Sequence, residues 1–123
     1  MTGDKRILIL EDEPLIAMDL EDLLVANGYT VVGPYSAAPE ALGSLDQLKP
    51  HAALLDVYLF NGLSFEVARE LKRRNIPFAF MTGLVVSDLL PADLAGARVI
   101  LKPYNEKELL SFVASEQPAR MNE

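Results

Sequence analysis

Four apolar runs in this chain stop at a polar residue of a particular kind. ILIL (7–10) runs into Glu11, Asp12 and Glu13, and AALL (52–55) runs into Asp56. FAFM (78–81) runs into Thr82, and VIL (99–101) runs into Lys102-Pro103. Taken singly, a polar residue at the end of a run is ordinary, and Glu13 reads as a partner for the positive end of a following helix. Together they form a set: two acids, a third acid, a hydroxyl and an amine. Three carboxylates packed within a few ångströms repel and take up protons unless a cation joins them. A hard divalent ion with oxygen ligands relieves that repulsion, and Mg²⁺ is the natural candidate. A metal, an ammonium and a hydroxyl around one carboxylate are what a transferring phosphoryl group requires. A carboxylate can itself act as the nucleophile and form an aspartyl phosphate. Asp56 is the candidate nucleophile, because its run is the third and falls at the centre of the sheet argued below.

The set works only if a fold brings the four ends to one place. Arg6 to Leu10 reads as a buried strand. Pro14 to Asn27 carries Ile16, Leu20, Leu23 and Leu24 at helical spacing, with Pro14 at the start and Gly28 as the stop. Thr30 to Val32 reads as a second strand closed by Gly33-Pro34, and Pro39 to Leu48 as a short helix ended by Pro50. Ala52 to Leu55 is a third strand, and Asn61-Gly62 a turn. Ser64 is expected to cap a helix reaching Asn75, with Phe65, Ala68 and Leu71 on its inner face. Phe78 to Met81 and Arg98 to Leu101 are the fourth and fifth strands. Between them Ser87 to Leu94 reads as a weak helix interrupted by Pro91. Asn105 with Glu108 reads as the cap of a last helix that buries Leu109, Leu110 and Val113. Strict alternation predicts an α/β fold: a doubly wound, five-stranded parallel sheet of order 2-1-3-4-5, flavodoxin-like, with helices on both faces. Ligands in such sheets bind outside the carboxyl ends of the strands, where the winding reverses between the first and third. All the polar ends fall on that edge.

Composition narrows the chemistry. The chain of 123 residues suits one domain over 1–123, with a core of about 5–115 and a tail at 116–123. It has no cysteine, which removes thiolate zinc sites and thiol nucleophiles, and one histidine, which comes close to excluding His-based metal sites and Ser–His–Asp catalysis. His51 lies before the third strand, at the end opposite the acids, and reads as a surface residue. A net charge of −7 argues against sequence-independent nucleic-acid binding. No apolar run approaches the roughly 20 residues that span a bilayer, and no secretory signal opens the chain. A cytoplasmic location, with neither membrane nor nucleic acid as partner, is expected.

The residues resemble those of response-regulator receiver domains over about 5 to 115. ILILEDEPLIAMDLEDLL resembles the first strand, acid pair and first helix of that family. ALLDVYLFNGLSFEVARELK resembles its phosphoacceptor strand, loop and third helix. FAFMTG resembles its switch hydroxyl, and VILKPYNEKELL its Lys-Pro turn. The resemblance implies that Asp56 is phosphorylated, that Asp12 binds Mg²⁺ directly and Glu11 mainly through water, and that the Tyr58 carbonyl adds a ligand. Thr82 and Lys102 would contact the phosphoryl oxygens. The donor would be a histidine kinase or a phosphotransfer protein, with transfer and hydrolysis catalysed largely by the receiver itself rather than by a conventional enzyme. FMTGLV (80–85) and ILKPY (100–104) are similar to the FATGUY subgroup of receivers, often associated with kinases of the HWE type.

Two departures from that family matter. Typical receivers carry an aromatic three residues before the lysine, whose ring turns with the switch hydroxyl. Val99 stands there, so that coupling should be absent, with Tyr104 as a substitute or a plain packing residue. The stretch from Leu84 to Leu94 is expected to be the most mobile part of the domain and to carry the response. Tyr58 and Leu84, each two residues past a site residue, either hinder water at the phosphoryl group or merely pack over the loop. After Ser115 eight residues remain (116–123), so output is expected through a partner or through competition for phosphoryl groups; a piece of a longer protein would look the same. The alternative within the family is a phosphorylation-independent interaction module, against which the complete polar set argues. An aspartyl phosphatase would show Asp-x-Asp after the first strand. A nucleotide or flavin module would need a glycine-rich loop where Glu-Asp-Glu-Pro stands.

Overall fold

The computed structural model describes residues 5–59, 62–83 and 90–115. In chain order the elements are β1 (Arg6–Leu10), α1 (Pro14–Ala26), β2 (Thr30–Tyr35), α2 (Ala38–Leu48) and β3 (Ala52–Asp56). A two-residue ladder follows, β4 (Tyr58–Leu59) with β5 (Gly62–Leu63), then α3 (Phe65–Arg73) and β6 (Phe78–Thr82). A 3-10 turn (Ala92–Leu94), β7 (Arg98–Leu101) and α4 (Glu106–Ala114) complete it. The main sheet is parallel, with order β2-β1-β3-β6-β7, which is the doubly wound 2-1-3-4-5 arrangement in sequence terms.

Side chains of a strand alternate between faces, and both faces here are covered. Leu8, Leu10, Leu55 and Phe80 meet Leu45 of α2 and Leu71 of α3 in one core. Ile7, Ile9, Leu54 and Met81 meet Leu20 and Leu24 of α1 and Leu109 and Val113 of α4 in the other. Each fully buried leucine or isoleucine contributes about 2 kcal/mol, so the three central strands are the most firmly held part of the molecule. Phe80 anchors the first core with edge-on contacts to Phe65 and Phe78, ring centres 5.9 and 5.5 Å away.

Several local expectations need correction. β2 does not close at Gly33-Pro34 but runs through them to Tyr35. It is an edge strand, where a proline without an N–H removes no ladder bond. Between the pairs Leu8↔Val32 and Leu10↔Tyr35 it carries one residue more than β1. Gly33 sits there at φ +101, where an added Cβ would lie 2.7 Å from the Tyr35 nitrogen and 3.0 Å from the Ile9 carbonyl oxygen. Ser64 precedes α3, but its side chain makes no capping hydrogen bond, and its hydroxyl is buried without a partner. That helix ends at Arg73, not Asn75, and Asn75 turns the chain with φ 60. Its buried face is Val67, Ala68 and Leu71, with Phe65 partly covered. Asn105 does cap α4, its Oδ1 accepting the Glu108 N–H at 2.9 Å. Phe112, rather than Leu110, is the third fully inward residue of that helix. The β6–β7 connection shows only the 3-10 turn among the described residues; Leu84, Val85 and the start of the expected weak helix lie outside them, as does Asn61 of the expected turn.

Among the described residues no helix is long and apolar enough to cross a membrane.

Candidate functional site

Each polar residue of interest sits at the carboxyl end of a sheet strand. Glu11 and Asp12 leave β1, and the Glu11 N–H donates to the Tyr35 carbonyl of β2 at 2.9 Å. Glu11 is buried, and its Oε2 accepts the Glu13 N–H at 3.0 Å. Asp56 ends β3 and is buried. Thr82 ends β6, also buried. Its carbonyl accepts the Lys102 N–H at 2.8 Å, so the β6–β7 ladder continues one residue beyond β7. That bond directs Lys102 back over the sheet edge.

The side chains then converge. Lys102 Nζ donates to Asp56 Oδ2 at 3.3 Å. It also lies 3.0 Å from Glu11 Oε1, an ion pair poorly aligned for a directed hydrogen bond. Oxygens of Glu11, Asp12 and Asp56 all lie within 4.8 Å of one another. Below the cluster, the Val57 N–H donates to the Met81 carbonyl at 3.3 Å and the Ser64 N–H to the Val57 carbonyl at 3.2 Å, which fixes the chain leaving Asp56.

The electrostatics follow from this crowding. Burial, and then the charge of Glu11, push the Asp56 carboxyl up to about 7, although Lys102 opposes them. Burial alone would depress Lys102, but its contacts to Glu11 and Asp56 outweigh that and hold it above the usual lysine value. Three carboxylates and one ammonium leave a negative excess, which a divalent cation offsets. The donor set fits Mg²⁺: oxygen only, few protein ligands, and no nitrogen or sulfur. The three carboxylates are close enough together for one ion to be held among them.

Glu11, Asp12, Asp56 and Lys102 are thus brought together, with Thr82 on the neighbouring strand end. Tyr58 opens the short ladder beside Asp56, paired with Leu63, and its ring is half exposed. Val99 lies on β7 opposite Phe80. Tyr104 is half-buried against the second core. His51 stands at the far end, its Nδ1 accepting the Arg6 N–H at 3.0 Å. The Tyr35 carbonyl, which braces Glu11, and the Lys102–Glu11 pair were not foreseen. A backbone carbonyl leaves no mark in a sequence, and the pairing needs the strand register.

Fold and site together define a class: doubly wound α/β proteins with an acidic, oxygen-donor crevice where the strand order reverses. The chain belongs to the response regulator receiver domain family, whose description matches residues 7–114, and so to two-component signalling. It is 33% identical over 124 residues to the phyllosphere-induced regulator PhyR of Methylorubrum extorquens, covering 95% of this chain and 46% of that protein. It is 30% identical over 112 residues to the transcriptional regulatory protein PdtaR of Mycobacterium tuberculosis, covering 89% of this chain and 55% of that protein. The chain therefore spans about half the length of these curated relatives. Among solved structures it is similar to SdrG from Sphingomonas melonis Fr1, with TM-score 0.77, 38% identity, and coverage of 93% of this chain and 97% of that one.

Proposed function

We propose that this chain is a phosphoacceptor receiver, in which Asp56 takes a phosphoryl group from a histidine kinase or a phosphotransfer protein in a Mg²⁺-dependent reaction. The observation that carries this reading is the convergence of Glu11, Asp12, Asp56 and Lys102 from three separate strand ends. Nothing in the stability of the fold calls for so many like charges in one buried crevice.

In the transfer, a carboxylate oxygen of Asp56 bonds to phosphorus as the donor's N–P bond breaks, its electron pair leaving with the imidazole. Lys102 and the Thr82 hydroxyl contact the phosphoryl oxygens and stabilise charge there. Glu11, Asp12 and Asp56, with the Tyr58 carbonyl, would hold Mg²⁺. When bound, that ion neutralises phosphoryl charge and favours ionised Asp56. Hydrolysis is the attack of water on the same phosphorus as its bond to the Asp56 oxygen breaks and the carboxylate leaves, and the half-exposed Tyr58 ring, two residues on, is read as a hindrance to that water. The domain spans 1–123 in this reading, belongs to the FATGUY subgroup on the strength of FMTGLV and ILKPY, and works in the cytoplasm. Output passes by protein contact or by competition for phosphoryl groups.

Incubation with a small phosphodonor, with and without Mg²⁺, followed by intact-mass measurement, tests the reading. Wild type should gain the mass of one phosphoryl group only with Mg²⁺, and Asp56→Asn should gain none. Unmodified wild type, or an equally modified variant, sinks it and leaves a phosphorylation-independent interaction module.

A further inference from the structure

Ser64 and Asn105 both stand where a helix begins, and only Asn105 makes the cap. Asn105, ahead of α4, has φ −90 and ψ 125, and its Oδ1 accepts the Glu108 N–H at 2.9 Å. Ser64, ahead of α3, has nearly the same φ, −92, but its ψ is 10 and its side chain caps nothing. A capping residue takes extended backbone, which brings its side-chain oxygen to the N–H two or three residues on. Ser64 is wholly buried, and its hydroxyl has no partner among the described residues. Val67, three residues on, is wholly buried too. Its N–H belongs to the first turn, whose amides have no acceptor within a helix, and water does not reach it. A donor and an acceptor thus stand at the spacing of a cap, both out of water and not joined, which is costly for each.

Ser64 is kept from the extended state by its own N–H, which donates to the Val57 carbonyl at 3.2 Å. The Val57 N–H in turn donates to the Met81 carbonyl at 3.3 Å. Both bonds are longer than the usual value of about 2.9–3.0 Å. Val57 lies between Asp56 and Tyr58, the two residues whose oxygens would turn toward a bound ion. The backbone that must move when the crevice is loaded is therefore loosely tied, and one of its ties is the bond that leaves α3 uncapped.

We propose that Ser64 is a capping latch, open in the empty domain and closed when Asp56 carries its phosphoryl group with Mg²⁺. Loading draws the Val57 carbonyl off the Ser64 N–H. Ser64 then turns about its Cα–C bond to the extended state, while its carbonyl stays on the Ala68 N–H, now at 3.1 Å. Its hydroxyl oxygen accepts the Val67 N–H. The start of α3 is thereby fixed only in the loaded domain, and Ser64 is a positioning residue that favours loading through the new cap. The latch rests on the reading of Asp56 as a Mg²⁺-dependent phosphoacceptor.

Amide hydrogen exchange of the full chain, followed by NMR without metal and with Mg²⁺ plus beryllium fluoride as a phosphoryl mimic, tests it. Shifts of the Asp12 and Thr82 amides report loading. In wild type the Val67 N–H should then exchange about 5-fold more slowly, the scale of one cap, while the Glu108 N–H, capped throughout, should not change. Ser64→Ala should melt no lower than wild type without metal, since an unpartnered hydroxyl is removed, yet should bind beryllium fluoride about 5-fold more weakly. An unchanged Val67 amide in a chain that does load would overturn the latch and leave the phosphoacceptor reading standing. A Ser64→Ala chain that binds as tightly as wild type, or melts well below it without metal, would do the same. No shift at Asp12 and Thr82 would overturn both.

Discussion

Asp56 and Glu70 are carboxylates of one molecule displaced in opposite directions. Asp56, at the end of β3, is pushed up to about 7 by burial and by the charge of Glu11. Glu70, on the surface of α3, is held down at about 2 by hydrogen bonds from Arg73 and then Arg74. Around Glu70 each acid has its arginine: Arg73 and Arg74 hold Glu70, Arg74 also reaches Asp46 of α2 at 2.8 Å, and Arg69 reaches Asp93 of the 3-10 turn at 2.8 Å. Around Asp56 the anions are in excess, and Lys102 serves two of them. The surface network is electrostatically complete as it stands. The crevice is incomplete, and its imbalance is what suits it to a metal and a phosphoryl group.

The comparison breaks most visibly if Lys102, the one cation of the crevice among the described residues, is removed. Lys102→Met should slow phosphorylation by a small donor about 100-fold, the scale for loss of one preorganised charge at a reacting centre. Intact-mass time courses would show it, and an unchanged rate would remove Lys102 from the chemistry. The next effect is on stability. Asp56 titrates higher in the folded chain than in the unfolded one, whose ordinary value is 3.8. Its contribution is therefore full below about 4 and lost as pH rises to about 7. Asp56→Asn should melt above wild type by about 5 °C at about pH 8, with the gap shrinking toward pH 5. Mg²⁺ should narrow that gap by stabilising wild type alone. Calorimetry showing a pH-independent gap would contradict the raised value. The smallest effect belongs to the surface. Glu70 titrates lower folded than unfolded, so its contribution is present above its ordinary value of 4.5 and lost as pH falls toward about 2. Glu70→Gln should lower the melting temperature slightly at neutral pH and low salt, with the difference vanishing in high salt. A drop as large as the Asp56 effect would mean the two regions are not so different.

Much of the fold was legible because parallel strands buried on both faces read as unbroken apolar runs, and their ends are therefore visible. The positions of Glu11, Asp12, Asp56, Thr82 and Lys102 on one sheet edge followed from that, as did the Asn105 cap. What could not be read depends on neighbours far along the chain. Whether β2 stops at Gly33-Pro34 is decided by its place at the edge of the sheet. Whether Ser64 caps α3 is decided by a backbone turned to pair with Val57. The Arg69–Asp93 link joins residues 24 apart, with no periodicity to announce it. The missing ring at Val99 was plain in the sequence, yet only the register places it beside Phe80, within an already crowded aromatic core.

Gly33 has no side chain and takes no part in any of this chemistry, yet it governs where the first acid leaves the sheet. The extra residue it allows in β2 carries Tyr35 forward to meet Leu10, and the Tyr35 carbonyl then fastens the amide of Glu11. An alanine at that position would press on the Tyr35 nitrogen and the Ile9 carbonyl together, loosening the clasp from the outside. The aim of a buried carboxylate is in this way delegated to the rim of the sheet, to a residue qualified by a backbone turn and a tight space that no side chain suits.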